Sequence, residues 1–278
     1  MVDAQLLGII QPMAHFADRT GQLSFEGVSK SFGGQVAVRD LDLWVGPGEL
    51  FGLIGPNGAG KTTTIKMAVG LLRPSTGRIR ICGYDVQSDG RESRRHLGYV
   101  PDTAALYDRL TGSEMLQLAA DLHGVSAERR RRRIPALLEG FDLTGVEGQL
   151  IMSYSRGMRQ KLALCSALVH DPEVLFLDEP TVGLDPRGAR QLKIMLRSLC
   201  DSGHSVFLST HALEIAAALC DRIGIFSEGS LAACGTVAEL EAEGRRSGQI
   251  DPGLEDAFMA VTGSGDHEAS NLLAALRS

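Results

Sequence analysis

Eight consecutive residues have the composition and spacing of a loop that binds the phosphates of a nucleotide. They follow the pattern G-x-x-x-x-G-K-[ST] and comprise Gly55, Pro56, Asn57, Gly58, Ala59, Gly60, Lys61 and Thr62. Glycines let the backbone turn back on itself, which brings successive N–H groups close to phosphate oxygens. Lys61 offers a point charge to the β- and γ-phosphates, and the Thr62 hydroxyl suits Mg²⁺. The alternative is a glycine-rich turn between two core elements, and it is disfavoured because a predicted strand precedes the loop and a predicted helix follows it.

Acidic and imidazole side chains end two apolar segments later in the chain. The run Val174–Leu177 has the character of a strand buried on both faces, and Asp178 and Glu179 close it. At such a strand end, Asp178 can hold Mg²⁺ and Glu179 can accept a proton from an attacking water. His211 follows the predicted strand Ser205–Ser209 and can reach a γ-phosphate from the same sheet edge. An acidic pair without chemistry and a structural histidine are the alternatives, and the phosphate loop disfavours both.

A second candidate anion site precedes the predicted helix Lys161–His170. Ser155 is a natural N-cap for this helix, and Gly157 allows a ligand to approach the backbone closely. Helix N-termini favour negative charge, so the segment can bind phosphate. Because the chain has one phosphate loop, this site suggests a nucleotide held by a partner chain in a dimer.

The elements that must position these residues follow from apolar patterns. Leu50–Ile54 is predicted as a buried strand ahead of the phosphate loop, and Ile65, Ala68, Val69 and Leu72 lie on one face of a helix after it. Further strands are predicted at Phe25–Phe32, Val36–Val45, Arg78–Ile81, Leu97–Val100, Arg222–Phe226 and Leu231–Cys234, the last two forming a hairpin.

A helical segment is predicted from about Thr111 to His170. It opens with a capping box formed by Thr111 and Glu114. The apolar face of its first helix is predicted to contain Met115, Leu118, Ala119 and Leu122.

The second helix of this segment contains five consecutive arginines. Ser126 is predicted to cap it, and Pro135 to end or kink it. The run Arg129–Arg133 covers every side of the helix, so a solvated surface is favoured over contact with anionic lipid headgroups or an acidic partner. Downstream, Asp185 and Pro186 are predicted to begin another helix.

Bulk composition limits the class of protein. The 278 residues are 44% apolar and carry a formal net charge of −6, which supports a folded core and argues against a general nucleic-acid binder. The five cysteines are scattered without a C-x-x-C pair, so spacing suggests neither disulfides nor a zinc site, and a reducing cytosol is expected. With no apolar stretch near ~20 residues and no basic residue before Leu6–Ile10, we expect neither a membrane span nor a signal peptide.

Taken in order, these motifs resemble the nucleotide-binding subunit of ATP-binding cassette (ABC) transporters over about residues 23–240. Gly55–Thr62 resembles the Walker A loop, with Thr63 after it, and Val174–Glu179 resembles the Walker B strand. The other matches are the signature motif at Tyr154–Met158, the D-loop at Gly183–Asp185, the switch histidine His211 and an adenine-stacking aromatic at Phe32.

The resemblance implies an α/β fold: a P-loop NTPase core with a mainly parallel sheet, an N-terminal antiparallel β subdomain and an inserted helical subdomain at about 102–170. The remaining ranges are an extension at 1–22 and a tail with short helices at 241–278. It also implies ATP and Mg²⁺, with Thr62, Asp178 and Asp102 near the metal and Lys61, Glu179 and His211 catalytic. Two cassettes would close head to tail around two ATP molecules, each site combining one chain's Walker loops with Ser155 and Gly157 of the other.

Two positions depart from the family's pattern. Asp102 follows Tyr99–Pro101 where the family usually has glutamine; it keeps an oxygen for Mg²⁺ or water but adds a negative charge and lacks an amide donor. In the signature motif, Arg156 and Met158 replace glycine and glutamine, and we expect the Arg156 side chain to reach solvent.

Segments 106–112 and 254–258 are similar to bacterial exporter cassettes, which work with separate membrane subunits. This predicts a peripheral protein on the inner face of the cell membrane, with a permease contacting residues from Asp102 to about Met115. A soluble ABC ATPase acting on ribosomes or DNA is the alternative, although the chain lacks a second cassette, a basic linker and long coiled coils. A regulatory module without turnover is disfavoured because Lys61, Glu179 and His211 are all present.

Overall fold

The computed structural model describes residues 22–181, 184–246, 254–255 and 258–259. Its strands are β1 (Leu23–Phe32), β2 (Gln35–Val45), β3 (Leu50–Ile54), β4 (Thr76–Ile81), β5 (Tyr84–Asp85), β6 (Leu97–Val100), β7 (Val174–Asp178), β8 (Ser205–Thr210), β9 (Arg222–Ser227) and β10 (Ser230–Gly235). Its helices are α1 (Lys61–Ala68), α2 (Gly90–Ser93), α3 (Gly112–Leu122), α4 (Ala127–Gly140), α5 (Arg156–Leu168), α6 (Pro186–Asp201), α7 (Leu213–Leu219) and α8 (Val237–Arg246).

The strands form two sheets. The smaller is antiparallel, with the order β2-β1-β4-β5, and the larger has the order β10-β9-β3-β8-β7-β6. In the larger sheet β9, β3, β8, β7 and β6 run parallel, and β10 pairs antiparallel with β9. The predicted fold class, a mainly parallel core with an N-terminal antiparallel subdomain, is confirmed. Since parallel strands end at one edge, the residues that follow β3, β7 and β8 become neighbours.

An aromatic cluster joins the two sheets. Phe207 of β8 is fully buried and contacts three rings, with centroid distances of 6.0 Å to Phe25, 5.5 Å to Phe51 and 5.7 Å to Phe176. Phe25 lies on β1 of the antiparallel sheet, whereas the other rings belong to the parallel sheet. Offset and tilted aromatic pairs add stability beyond the area they bury. The antiparallel sheet is thereby packed on the strands that carry the candidate catalytic residues.

Helices α3, α4 and α5 pack around a core of their own. The capping box at Thr111 and Glu114 is present, and Ser126 caps α4 as predicted. The predicted apolar face of α3 is wrong at Leu122, whose side chain is 77% exposed. Leu116 and Ala120 are fully buried instead. The helix therefore packs the face that contains Met115, Leu116, Ala119 and Ala120 against α5.

Pro135 lies inside α4 and does not end it, so that part of the prediction is wrong. The buried residues Ile134 and Leu138 on either side of Pro135 pack into the helical core, and this packing offsets the missing backbone hydrogen bond.

The arginine run is divided between paired and exposed side chains. Arg129 and Arg133 both form ion pairs with Asp171, and Arg130 pairs with Asp121. The Arg133 guanidinium also donates to the backbone carbonyls of Leu168 and Val169. Part of the run therefore ties α4 to the end of α5 and does not form a uniform solvated surface.

No helix in the described part of the chain is both long enough and apolar enough to cross a bilayer.

A partly buried histidine lies where the helical region meets β6. The ring of His170 stacks on that of His123 at a centroid distance of 3.6 Å, and its Nε2 lies 2.9 Å from the Leu97 carbonyl oxygen. Burial, then the neighbouring His123 and Arg133, lower the pKa of His170 to about 4, although the Leu97 carbonyl and Asp171 act in the opposite direction. The imidazole is neutral at pH 7.

Acidification should therefore destabilise the protein through His170. Between about pH 6.5 and pH 4, His170 is protonated in the unfolded chain but stays neutral in the folded chain. The stability that depends on neutral His170 is fully present at pH 7. As the pH falls, the free energy of unfolding decreases, by up to about 3 kcal/mol at pH 4. Urea unfolding of wild type and His170→Gln from pH 7 to pH 5 measures it, and the variant should lose less stability. Equal losses would assign the acid sensitivity to other groups.

Candidate functional site

The phosphate loop connects β3 to α1, as predicted, and its terminal glycines are required by close backbone contacts. A Cβ on Gly55 would lie 2.2 Å from the carbonyl oxygen of Phe226. A Cβ on Gly60 would lie 2.3 Å from the Ala37 carbonyl oxygen, and Gly60 has a φ of 111°, which favours glycine. Strand β9 on one side and β2 on the other thus hold the loop in place. The arrangement of strand, loop and helix suits binding of phosphate at the helix N-terminus.

Lys61 is the first residue of α1 and folds back over the loop. Its Nζ donates to the carbonyl oxygens of Gly55 at 2.6 Å and of Pro56 at 3.0 Å. Burial lowers the pKa of Lys61, and the nearby carboxylates of Glu179 and Asp178 act in the opposite direction. A phosphate in the loop would supply the same kind of compensation, because a charged ammonium out of water is costly without an anion.

Asp178 ends β7 with its side chain turned toward the phosphate-loop helix. Its Oδ1 accepts hydrogen bonds from the Thr62 hydroxyl at 3.3 Å and from the Ser209 hydroxyl. Its Oδ2 is buried without a hydrogen-bond partner, and the residue is 1% exposed. An unpaired buried carboxylate oxygen is costly unless it has a further ligand. Together with the Thr62 hydroxyl, this oxygen fits the hard oxygen ligands that Mg²⁺ prefers.

Glu179 follows Asp178 but has left-handed backbone geometry, with a φ of 51°. Its carboxylate accepts from the Thr210 hydroxyl at 3.2 Å and lies 2.8 Å from Nδ1 of His211. The backbone N–H of Glu179 also donates to the Ser209 carbonyl, which keeps the residue beside the end of β8. Glutamate rarely adopts a positive φ, and such geometry is often found where a functional side chain must be directed.

Two other predicted ligands lie in exposed positions. Phe32, at the end of β1, has half of its surface accessible, and the Lys30 ammonium lies 5.0 Å from its ring centroid. Asp102 is exposed beyond β6, and its Oδ1 accepts a hydrogen bond of 2.7 Å from the Thr103 N–H. Asp102 still affects the edge of the sheet: burial, then Asp178 and Asp102, raise the pKa of Tyr99 to about 12.

The candidate anion site of the helical region is formed locally. Ser155 is exposed and caps α5, accepting a hydrogen bond of 3.3 Å from the Met158 N–H, and the Arg156 side chain faces solvent. The helix begins five residues earlier than predicted, so Gly157 lies in its first turn. Asp185 caps α6 through a 2.7 Å hydrogen bond from the Gly188 N–H, whereas Gly183 lies outside the described residues.

Three kinds of side chain thus lie at the C-terminal edge of the parallel sheet. They are the Lys61 ammonium, the Asp178 carboxylate, which is suited to binding a metal ion, and the Glu179 carboxylate, which is suited to accepting a proton and is hydrogen-bonded to His211. Transfer of a phosphoryl group to water needs these components: charge compensation, a metal ligand and an oriented nucleophile. Sequence reasoning missed Ser209 and Thr210, whose hydroxyls hold the two carboxylates. The available signal was a pair of hydroxyl residues that ends a buried apolar strand just before His211.

This fold and site define the P-loop nucleotide-hydrolysing proteins. A family model described as ABC transporter matches residues 38–182, more than half of the chain, and the chain belongs to this family. It is an ATP-binding, ATP-hydrolysing subunit of an ABC transporter, which implies a transporter partner and a second cassette.

The relatives and solved structures agree with this assignment. The chain is 41% identical over 250 residues to the daunorubicin resistance ATP-binding protein DrrA3 of Streptomyces coeruleorubidus, covering 87% of the chain and 78% of the relative. It is 37% identical over 244 residues to the probable multidrug ABC transporter ATP-binding protein YbhF of Escherichia coli, covering 88% of the chain but 42% of that longer protein. A solved ATP-binding subunit of an ABC transporter superposes with a TM-score of 0.81 at 34% identity, covering 86% of the chain and 99% of that structure.

Proposed function

We propose that this chain is the Mg²⁺-dependent ATPase subunit of an exporter, with its cassette at residues 23–240. The single observation that carries the catalytic part is the contact network of Asp178 and Glu179 at the end of β7. The export part is supported by the relatives named for drug resistance and Nod factor export. The names of these relatives give no such support to the alternative, a soluble ABC ATPase that acts on ribosomes or DNA.

Each residue at the sheet edge has a distinct role in the proposed reaction. Lys61 and the N–H groups of the phosphate loop bind the β- and γ-phosphates, and Phe32 stacks on the adenine. Thr62 and Asp178 hold Mg²⁺, which neutralises charge on the phosphates when it is bound. Glu179 accepts the proton of the attacking water, and His211 keeps the Glu179 carboxylate in position while facing the γ-phosphate.

We further propose that the second half of each site comes from the partner cassette. Ser155 is exposed and Gly157 is partly exposed at the N-terminus of α5, which suits a γ-phosphate bound by the other chain. Asp185 lies in an exposed cap at the start of α6, where it can contact the partner. A solved ATP-binding cassette described as dimeric and bound to ADP and Pi is 25% identical, with a TM-score of 0.71 over 77% of the chain.

A mixed-dimer experiment separates this arrangement from a site within one chain. Ser155→Ala and Glu179→Gln should each abolish most ATPase activity, yet an equimolar mixture should be well above either variant alone. In a mixed dimer, one site then combines the intact Glu179 of one chain with the intact Ser155 of the other. Without this recovery, Ser155 would serve its own chain. Ser126→Ala removes an equivalent helix cap with the same 3.3 Å bond, so it controls for lost helix stability.

The surface around residues 102–115 is proposed to face the permease. Tyr107 is 62% exposed and Met152 is 66% exposed, and Met152 N donates to the Asp108 carbonyl, so these side chains belong to neighbouring segments. Large apolar side chains exposed in this way suit a partner surface. Through this contact the chain would lie on the inner face of the cell membrane.

Cell fractionation and drug accumulation test the exporter assignment. The tagged chain should sediment with membranes and copurify a membrane-spanning subunit, and cells lacking the chain should accumulate more daunorubicin or a related amphiphile. Wild type should restore low accumulation, whereas Glu179→Gln should not. A chain found wholly in the cytosol with ribosomes would overturn the exporter assignment in favour of the soluble alternative.

A further inference from the structure

Three side chains of metal-binding type meet far from the nucleotide site. Cys82, His96 and Glu173 each offer one ligand atom, and the three atoms lie within 4.8 Å of one another. Nδ1 of His96 is 3.1 Å from a carboxylate oxygen of Glu173. All three residues are partly buried, so the cluster is neither a loose surface group nor sealed from solvent.

The fold brings these residues together from three separate segments. His96 and Glu173 directly precede Leu97 and Val174, which pair at the start of the parallel strands β6 and β7. Cys82 belongs to the tight turn between β4 and β5 of the antiparallel sheet. Glu173 is five residues before Asp178 along β7, which places the cluster roughly 16 Å from the nucleotide site, at the opposite edge of the sheet.

Neighbouring contacts hold the His96 ring and the backbones of Cys82 and Glu173 in place. The ring of Tyr84 stacks on that of His96 at 5.2 Å with an interplanar angle of 13°. The backbone N–H of Cys82 donates to the Gln22 carbonyl, and the Ser205 N–H donates to the Glu173 carbonyl. Cys82 keeps a left-handed backbone with a φ of 49°, where asparagine or glycine is the usual choice.

The chemistry of the three ligands selects the cation. Thiolate, imidazole and carboxylate are the ligand types of zinc, and three protein ligands leave a fourth position for water. With Zn–ligand bonds of about 2.0–2.3 Å, tetrahedral ligands lie roughly 3.3–3.6 Å apart, so small side-chain rotations close the observed cluster. One thiolate and one carboxylate would balance the charge of a divalent ion, which matters in a partly buried place.

We propose that Cys82, His96 and Glu173 form a binding site for a thiophilic divalent cation, with Zn²⁺ the best match. Spacing along the chain gave no sign of this site, because the ligands come from three separate segments. A bound ion would connect the β4–β5 turn of the antiparallel sheet to the starts of β6 and β7 in the parallel sheet. The site would thus act at the junction of the two sheets, independently of ATP.

Cobalt titration of the untagged, chelator-treated full chain tests the proposal. Co²⁺ bound by a thiolate gives a charge-transfer absorption that oxygen and nitrogen ligands do not give. The wild type should bind one Co²⁺ per chain with this absorption, and Zn²⁺ should displace it. Cys82→Asn should abolish the absorption while suiting the left-handed backbone, and Glu173→Gln should weaken binding by about tenfold or more.

Two controls place the ion in the cluster. Cys234→Ser, at the other partly buried cysteine of the described residues, should keep the absorption. Asp178→Asn should also keep it, because the proposed metal ligands of the nucleotide site, Thr62 and Asp178, bind through oxygen. The proposal is overturned if the wild type shows no thiolate absorption, or if Cys82→Asn binds Co²⁺ with the same absorption as wild type.

Discussion

Replacing Glu179 with glutamine should lower the rate of ATP hydrolysis by about 10²–10⁴-fold while leaving ATP binding intact. Glutamine has nearly the same shape and can keep a hydrogen bond to His211, but its amide cannot accept a proton from water. In the wild type, the left-handed backbone and the bonds from Thr210 and His211 direct the side chain, and the glutamine amide oxygen can accept the same bonds. The change therefore removes the base without removing the fold of the site.

Single-turnover hydrolysis and ATP binding should be measured on the same preparations. Because the variant binds ATP but cannot release it through hydrolysis, its dimer should persist in ATP on a sizing column. Glu49→Gln is the matched control: Glu49 is also largely buried and hydrogen-bonded, to Arg222 at 2.8 Å, but it lies at the far end of β3. Normal turnover in Glu179→Gln would remove Glu179 from the role of base.

Asp178→Asn should remove the contribution of Mg²⁺ to nucleotide binding. The Oδ2 of Asp178 is buried without a partner, and an amide nitrogen at that position would repel a cation instead of binding it. We expect Mg–ATP to bind about tenfold to a hundredfold more weakly, which lowers its stabilisation of the folded protein by about 1.4–2.7 kcal/mol at saturating ligand. The amide oxygen can still accept from Thr62 and Ser209, so the protein without nucleotide should stay folded.

Thermal melting with ATP, in Mg²⁺ or in excess chelator, measures this effect. Wild type should gain more stability from ATP in Mg²⁺ than in chelator, and Asp178→Asn should show no such difference. Asp121→Asn, which alters an exposed carboxylate paired with Arg130, should behave as wild type. A variant that keeps the full Mg²⁺-dependent gain would place the metal on other ligands.

The local parts of the site could be predicted because their signals are local. The phosphate loop has a fixed pattern, β7 and β8 each contain a continuous apolar run, and Ser126 and Thr111 are caps defined by neighbouring residues. The hydrogen bonds that hold the carboxylates were not predictable, since Ser209 and Thr210 become relevant only when β8 lies beside β7. That pairing joins segments far apart in the sequence.

Packing decided the remaining differences. Helix α3 buries Leu116 and Ala120 and leaves Leu122 exposed, because the position of α5 selects the buried face and the apolar pattern alone allows either. Pro135 stays inside α4 for a related reason: the packing of Ile134 and Leu138 in the helical core offsets the cost of a proline in a helix, which is about 3 kcal/mol. The short elements β5, α2 and α7 were not predicted at all, because so few residues do not show a recognisable periodic pattern of apolar side chains.

The central position of β3 has a consequence for the synthesis of the protein. Its two neighbours, β8 and β9, begin only at Ser205 and Arg222, roughly 150 and 170 residues later in the chain, although all five residues of β3 are buried in the finished sheet. At about 5–20 residues per second, a ribosome needs roughly 8–30 s to make that stretch. Throughout this interval the nascent chain has an apolar strand with both edges unpaired, the kind of segment that aggregates or recruits chaperones. The same order of strands that forms a nucleotide site from three distant segments also delays the folding of its central strand until most of the cassette has been synthesised.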